Sequence, residues 1–557
     1  MNKQIANLLE QHFDTAFAAP DGIKKLRELI LTLAMQGKLV EQDPNDQPAS
    51  ELLKEIEAEK QRLVTAGKIK KPKPLSAIVN DEIPYDIPSS WIWVRFGDIA
   101  RHNSGKTLDK GRNTGESRDY ITTSNLYWGK FELENVRQML IREDELEKCT
   151  AKKDDLLICE GGEAGRAAMW PFDSEVCFQN HIHRARFYKD IDPYFVYRFF
   201  EKLSATGEIN QHRKGVGISN MSSKSLASIV FPLPPFSEQH RIVARIDQLM
   251  ARCNELEKLR KEREEKRLIV HAAAIKQLFD APDGSAWGFI QQHFNELYSV
   301  KENVAELRKA ILQLAVMGRL VPQDQNDPPA SELLKEIEKE KASHECTKSR
   351  RKGEKLPEIF NEEMPHKIPS NWAWVRFGDI AQHNSGKTLD KGRNTGQPRE
   401  YITTSNLYRG RFELENVRQM LIREDELEKC TAKKDDLLIC EGGEAGRAAV
   451  WPFDSEVCFQ NHIHRARFYK DIDPYFAYRF FEKLSATGEI NQHRKGVGIS
   501  NMSSKALASI VFPLPPQPEQ HRIVARTDQL MTLCDQLDQQ IDDAVGKQTE
   551  ILNAVLA

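Results

Sequence analysis

Apolar residues recur at helical spacing over residues 23–40 and 50–64, with Ser50 placed as an N-cap ahead of Leu52, Leu53 and Ile56. That period is lost over 67–90, GKIKKPKPLSAIVNDEIPYDIPSS, whose Pro and Lys content predicts a linker. From Trp91 to Pro235 the pattern is mixed. β-rich runs at 155–161 (DLLICEG) and 176–188 (VCFQNHIHRARFY) alternate with a helical stretch at 193–204 (PYFVYRFFEKLS), which predicts an α/β or α+β domain. After PLPP at 232–235 the helical period returns. Ile242, Ile246, Leu249, Cys253 and Leu256 step by four and three, as a coiled-coil seam does. Ile523, Leu530, Cys534, Leu537, Ile541, Ile551 and Val555 make a second seam that reaches the end of the chain. Such a stripe must be buried. The economical solution packs one long helix on the other and makes a rod with a globular domain at each end. The alternative packs each helix on its own domain.

The strongest signal is an internal repeat. Residue n matches residue n+281 along almost the whole chain, as in Trp91 and Trp372, His181 and His462, Pro232 and Pro513. Positions 91–235 differ from 372–516 at only 10 of 145 places. The flanks keep register but diverge more: LRELILTLAMQGKLV (26–40) becomes LRKAILQLAVMGRLV (307–321), and PASELLKEIE (48–57) recurs unchanged at 329–338. A period this long is not a solenoid. Two copies of one unit tend to pack about a pseudo-twofold axis; a tandem duplication without functional symmetry is the alternative. The expected fold is therefore α+β: two α/β-type domains separated by long antiparallel coiled-coil helices. The parts are a helical region and linker (1–90), a first mixed domain (91–236), a central helical spacer and linker (237–371), a second mixed domain (372–517) and a last spacer helix (518–557).

Composition narrows the class. A chain of 557 residues implies three to five units, since a domain takes roughly 100–200 residues. No apolar run approaches the roughly 18–20 residues of a membrane span. The polar start MNKQIANLLEQHFDTAF does not read as an export signal. Nine cysteines without a CxxC pair, eight of them in matched pairs across the repeat, point to reduced thiols and a cytoplasmic protein. The net charge of −3 does not announce a DNA binder, so any such role needs local basic patches or charge from a partner.

Several motifs offer chemistry. SGKT at 104–107 looks like the end of a phosphate loop, but Ala100 stands where a Walker motif needs glycine. Lys106 can instead meet a DNA phosphate, or lie on a plain turn; Lys110 and Arg112 keep the loop basic. Cys177, His181 and His183 would share one face of a strand, yet no fourth metal ligand is near, and no metal is expected. Asn180, His181 and Arg184 offer donors to base edges or phosphates. The glycine-rich stretch 160–166 is a tight hairpin or a DNA-facing loop carrying Arg166. QHRKGVG at 211–217 joins Arg213 and Lys214 to two glycines and is a clearer candidate. Thr122 and Asn125 sit at a predicted strand end, where they can read bases or simply form the strand. The same set recurs as Lys387, Lys391, Arg393, Thr403, Asn406, Arg447, Asn461, His462, Arg465, Arg494 and Lys495. Catalytic motifs are missing. The nearest approach to a methyltransferase site is Asp327-Pro328-Pro329, followed by Ala330 instead of an aromatic. No S-adenosylmethionine loop, helicase signature or nuclease cluster is present, so no cofactor is expected.

IPSSWIWVRFGDIA (87–100) resembles the opening of a target-recognition domain in specificity subunits of Type I restriction–modification systems. ISNMSSKSLASIVFPLPPFSEQHRIVARIDQL (218–249) resembles its close and the start of the spacer helix, and 26–40 with PASELLKEI resembles the helical region of that family. All three recur one period later, so the resemblance covers nearly the entire chain. It implies that each recognition domain reads half of a split double-stranded DNA target. It implies docking of two methyltransferase subunits, which carry S-adenosylmethionine, and of motor–nuclease subunits. Members of the family generally carry two unlike recognition domains; this chain carries two nearly identical ones. That departure predicts an interrupted palindromic target. The competing readings are a self-contained methyltransferase or nuclease, which the missing motifs oppose, and a scaffold or decoy that no longer reads DNA.

Overall fold

A computed structural model describes residues 17–109, 111–213, 220–280, 285–347, 356–390, 392–494 and 501–556. The chain forms two compact units. The first comprises residues 1–263 together with 545–557, and the second residues 264–544. Both divisions fall at the same point of the 281-residue repeat. The tail 545–557 is thus the counterpart of 264–276, and it completes the first unit from the far end of the chain.

In the first unit, helices Gly22–Met35 and Ala49–Thr65 bury Ile23, Ile30, Leu31, Leu52 and Ile56. These residues share one core with Trp91, Phe195, Phe231, Ile242, Ile246 and Cys253. The helical region and the mixed domain therefore fold as one body. The first turns of the seam in helix Phe236–Asp280 are covered by the unit's own core, as the alternative reading held. The first helix stops earlier than its apolar period suggests. Gly37 adopts a φ of 67°, and Lys38 N–H returns to Leu33 O at 2.9 Å. A Cβ at Gly37 would meet the Pro88 ring at 2.4 Å. The second helix starts one residue before Ser50: Pro48 is its N-cap, no side chain caps it, and Ala49 N–H donates to Ser90 O at 2.9 Å.

The sequence Glu238-Gln239-His240-Arg241 binds the parts together. Trp91 Nε1–H donates to the buried Glu238 carboxylate at 2.9 Å. Gln239 accepts from Asp192 N–H at 2.8 Å and donates to Pro234 O at 3.1 Å. His240 lies 2.9 Å from the Asp192 carboxylate, and Arg241 pairs with Asp46 at 2.6 Å. Burial pushes the Glu238 carboxyl above the usual range, against the hydrogen bonds of Trp91 and Gln42. Trp372–Glu519 at 2.9 Å and Arg522–Asp327 repeat the arrangement in the second unit. The linker is tied down as well. Arg95, 4 % exposed, donates to Ser76 O, Ala77 O and Ser228 O at 2.8–3.2 Å and pairs with Glu82 at 2.7 Å.

The mixed domain holds two four-stranded sheets. One runs Ala100–Ser104, Ile182–Phe187, Leu156–Cys159, Ala167–Met169, antiparallel throughout. The other runs Arg137–Ile141, Glu116–Ile121, Val176–Phe178, Thr150–Ala151, with Glu116–Ile121 and Val176–Phe178 parallel. Ile92–Arg95 pairs with Val230–Leu233 and closes the domain's two ends on each other. Helix Pro193–Ala205, started by Asp192 accepting from Tyr194 N–H, buries Phe195, Val196, Phe199 and Phe200. Run 176–188 is not one strand. It breaks at 179–181 and feeds both sheets, so Cys177 and His183 lie in different sheets and share no face.

The second unit repeats these sheets. Its helix Gln517–Leu556 places Leu530, Cys534, Leu537 and Ile541 in a cluster with Val304, Ile311 and Ala274, the last from the end of helix Phe236–Asp280. In the first unit Ile551 and Leu552 likewise pack with Phe17, Ala19, Leu26 and Leu29. Among the described residues, no helix is long and apolar enough to cross a membrane.

Candidate nucleic-acid interface

Three chain segments meet at one rim of the mixed domain. The glycine-rich stretch is the hairpin between strands Leu156–Cys159 and Ala167–Met169. Glu160 N–H donates to His181 O, and Met221 N–H to Glu160 O, each at 2.8 Å. Arg213 Nε–H donates to Ala164 O at 2.7 Å and draws the segment after helix Pro193–Ala205 onto the hairpin. Gly165 has to be glycine: its φ is 92°, and a Cβ would meet Ile209 at 2.6 Å. This rim brings together Arg166, Asn180, His181 and Arg213, and their counterparts Arg447, Asn461, His462 and Arg494. His181 is exposed and Asn180 half-buried. Burial lowers the pKa of Arg213, against the pull of Glu163.

A second hairpin, Leu126–Tyr127 with Lys130–Phe131, adjoins the first. The Arg166 guanidinium lies 5.4 Å from the Tyr127 ring centroid, donates to Thr123 O at 2.6 Å and pairs with Glu163 at 3.0 Å. Trp128 Nε1–H donates to the same Glu163 carboxylate at 2.9 Å. Sequence reasoning missed Tyr127 and Glu163 as rim residues. An aromatic pair ahead of Gly129-Lys130 was the available signal, but only the hairpin pairing brings it to Arg166.

Other expected contacts sit elsewhere. Lys106 is bridged by its backbone to Gln179, and its ammonium is engaged by Glu145; Lys387 is held by Glu426 in the same way. Arg112 and Arg393 project into solvent, 88 % and 89 % exposed. Thr122 and Asn125 are buried. Asn125 Oδ1 accepts from Thr122 N–H at 2.9 Å, and its amide donates to Glu132 O at 3.0 Å, so both clamp a turn; Thr403 and Asn406 do the same. Arg184, 6 % exposed, spends its guanidinium on Glu147 O, Thr150 O and Asn103 Oδ1 at 2.6–2.8 Å, and burial pushes its pKa down to about 10. Arg465 is equally buried and bonded to Glu428 O and Thr431 O. All six spend their polar groups inside the fold: the Thr–Asn pairs on a turn, and the two arginines on backbone carbonyls from strands Ile182–Phe187 and Ile463–Phe468. Lys110, Lys214, Lys391 and Lys495 lie outside the described residues. Among the described residues no three His, Cys, Asp or Glu side chains gather in metal-ligating geometry. The rim offers guanidinium, imidazole, amide and aromatic groups, which suit phosphates and base edges.

The family model described as Type I restriction modification DNA specificity domain matches residues 88–265 and again 369–547. The chain is 31% identical to the Type I restriction enzyme EcoAI specificity subunit of Escherichia coli, over 96% of this chain and 93% of that one. It is 29% identical to the EcoEI specificity subunit of Escherichia coli over the same shares. Among solved structures it resembles the HsdS subunit from Thermoanaerobacter tengcongensis with a TM-score of 0.45 at 16% identity, covering 85% of this chain and 98% of that one.

Proposed function

Because this chain belongs to the family of Type I restriction–modification DNA specificity subunits, we propose that its two mixed domains read the two halves of one palindromic, interrupted DNA target through the rim described above. The contact residues are Arg166, Asn180, His181 and Arg213 with their counterparts, extended by the exposed Arg112 and Arg393 and by the basic residues that follow Arg213 and Arg494. One observation carries this reading: every residue of the two rim segments 160–166 and 179–213 recurs in the second domain, save Val196, which is buried in the core. Equal reading surfaces related by a pseudo-twofold axis meet a duplex whose strands are related by twofolds, and protein symmetry sets half-site symmetry.

The chain reads DNA and carries no catalytic site of its own. It works in the cytoplasm, docked to two methyltransferase subunits and to motor–nuclease subunits. The two long helices run antiparallel as a coiled-coil spacer that sets the gap between half-sites. The tail 545–557, which completes the first unit as 264–276 serves the second, supports that symmetric plan. Near-neutral charge supports the need for partners: the first recognition domain carries 21 Lys and Arg against 20 Asp and Glu. Mapping methylated adenines in DNA from cells expressing the complete system tests the proposal. Two inverted copies of one half-site, methylated once on each strand, are expected; two halves unrelated by inversion refute it.

A further inference from the structure

The two rims differ at one side chain that matters chemically. In the first domain Trp128 is half-buried against the core, and its indole N–H is fixed on Glu163 at 2.9 Å. In the second domain the same position is Arg409, which is exposed. Glu444, the counterpart of Glu163, keeps Arg447 at 2.8 Å. Among the described residues no hydrogen bond or ion pair engages the Arg409 guanidinium. It stands on the hairpin Leu407–Tyr408 with Arg411–Phe412, beside Arg411 and Arg447, both of which lie over the Tyr408 ring at 5.4 and 5.7 Å. Its charge reaches Arg494 as well, whose pKa is lowered by burial first and, in smaller part, by Arg409, against the pull of Glu444.

We propose that Arg409 gives the second recognition domain one DNA-phosphate contact that the first domain lacks, so that two half-sites of the same sequence are held with unequal strength. The assignment to phosphate follows from the lack of support. Bidentate reading of a base edge needs a guanidinium held in plane by its neighbours. Arg409 has no such holder, whereas a phosphate accepts a mobile cation from many directions. Trp128, with its one donor already spent on Glu163, supplies no charge at this place. The inference rests on the reading of the rim as the DNA-binding surface.

The test uses the specificity chain assembled with its methyltransferase subunits and a duplex carrying the mapped target, with binding measured across a salt series. Each phosphate contact adds about 0.9 to the salt slope of the binding constant. R409W should lower the slope by about 0.9, and W128R should raise it by about the same amount. A fourfold rise in salt then costs wild type about 3.5-fold more affinity than it costs R409W. Both variants place a residue that the sister domain already accommodates, and methylation at the mapped adenines should keep its sequence. Unchanged slopes overturn the proposal. An unchanged slope with an altered base preference also overturns it, since Arg409 would then read a base. If the rim reading itself is wrong, mutation of Arg213 and Arg494 leaves binding intact, which is a separate result.

Discussion

The two recognition domains share 135 of 145 positions, and the ten differences fall in separate places. Three apolar residues in or against the core are replaced by smaller apolar ones in the second domain: Ile92 becomes Ala373, Met169 becomes Val450, and the fully buried Val196 becomes Ala477. Three more, Glu116 to Gln397, Ser117 to Pro398 and Asp119 to Glu400, lie on one exposed strand. Two lie on the hairpin beside the rim, Trp128 to Arg409 and Lys130 to Arg411. The first domain thus has the larger apolar core side chains, and the second carries the exposed Arg409 in place of Trp128. These differences fall in core volume, on an open ribbon and on the hairpin 126–131, while segments 160–166 and 179–213 are the same in both domains apart from Val196.

The largest expected effect tests the shared part. Replacing Arg213 and Arg494 together by Glu should abolish modification, while gel filtration still shows assembly with the methyltransferase. Losing two charge-assisted contacts at about 1.5–3 kcal/mol each amounts to more than a hundredfold in binding. Arg213 also holds Ala164 O, so Arg213→Lys with Arg494→Lys serves as the milder comparison. Retained modification in the Glu pair would remove the rim from the reading surface.

Next comes the hub. Trp91→Ala and Trp372→Ala should each cost about 3–5 kcal/mol, measured by denaturant unfolding. Each also leaves a buried glutamate, Glu238 or Glu519, without its indole donor. Equal costs in the two units would show that the hub is independent of the core differences.

Acid should act on both domains alike. Burial, aided by the charge of His183, pushes His102 down to about 4 from 6.5, and His383 shifts the same way for the same cause. A lowered folded-state pKa means the fold favours the neutral ring. For His102 this contribution is present above about pH 6.5 and is lost as pH falls toward about 4, at about 1.4 kcal/mol per pH unit, and His383 acts in the same direction. Melting temperatures across that range should fall less steeply for His102→Gln with His383→Gln.

Core volume should separate the domains. Val196→Ala removes two methyl groups, worth about 1.6 kcal/mol at about 0.8 per buried carbon. With the other two changes, the second domain is expected to be less stable by about 2–3 kcal/mol. Ala477→Val should narrow the gap, and partial proteolysis should cut the second domain first. Equal protection of both would contradict the packing argument.

Much of this architecture was legible in the sequence, because its signals are local or periodic. The repeat, the helix at 193–204 and the strand in DLLICEG are of that kind. What stayed hidden depends on long-range pairing. Asn125 and Arg184 look like readers, since nothing local says that Asn125 clamps a turn or that Arg184 is spent on backbone carbonyls. The strand 176–188 hides its break, because the turn at 179–181 exists only where Gly105 packs against Phe178; a Cβ on Gly105 would lie 2.1 Å from Phe178 O. The repeated Glu-Gln-His-Arg string stood in plain view, yet its partner Trp91 lies 147 residues away. The seam period required burial without naming the partner, and its first turns are covered by helices of the same unit.

The smallest expected effect sharpens the comparison most. On the strand Glu116–Ile121, Arg118 pairs with Glu116 at 2.6 Å, Ser117 donates to Gln138 at 3.3 Å, and Gln138 donates to Asp119 at 3.0 Å. All of these groups are exposed, where an ion pair is worth about 0–1 kcal/mol. The strand pairs with Arg137–Ile141 along residues 116–120, but with Val176–Phe178 only at Tyr120 and Ile121. Residues 116–119 therefore have one open edge, where a proline such as Pro398 is tolerated. Transplanting the second domain's residues as Glu116→Gln, Ser117→Pro and Asp119→Glu should change stability by no more than about 0.5 kcal/mol. It should leave the methylated sequence and the salt slope as they were, because this ribbon belongs to a different sheet from the strands that carry the rim hairpin. A changed half-site would move the ribbon onto the reading surface. The two domains would then differ in what they read, and the palindrome would fail at the base pair that the ribbon meets.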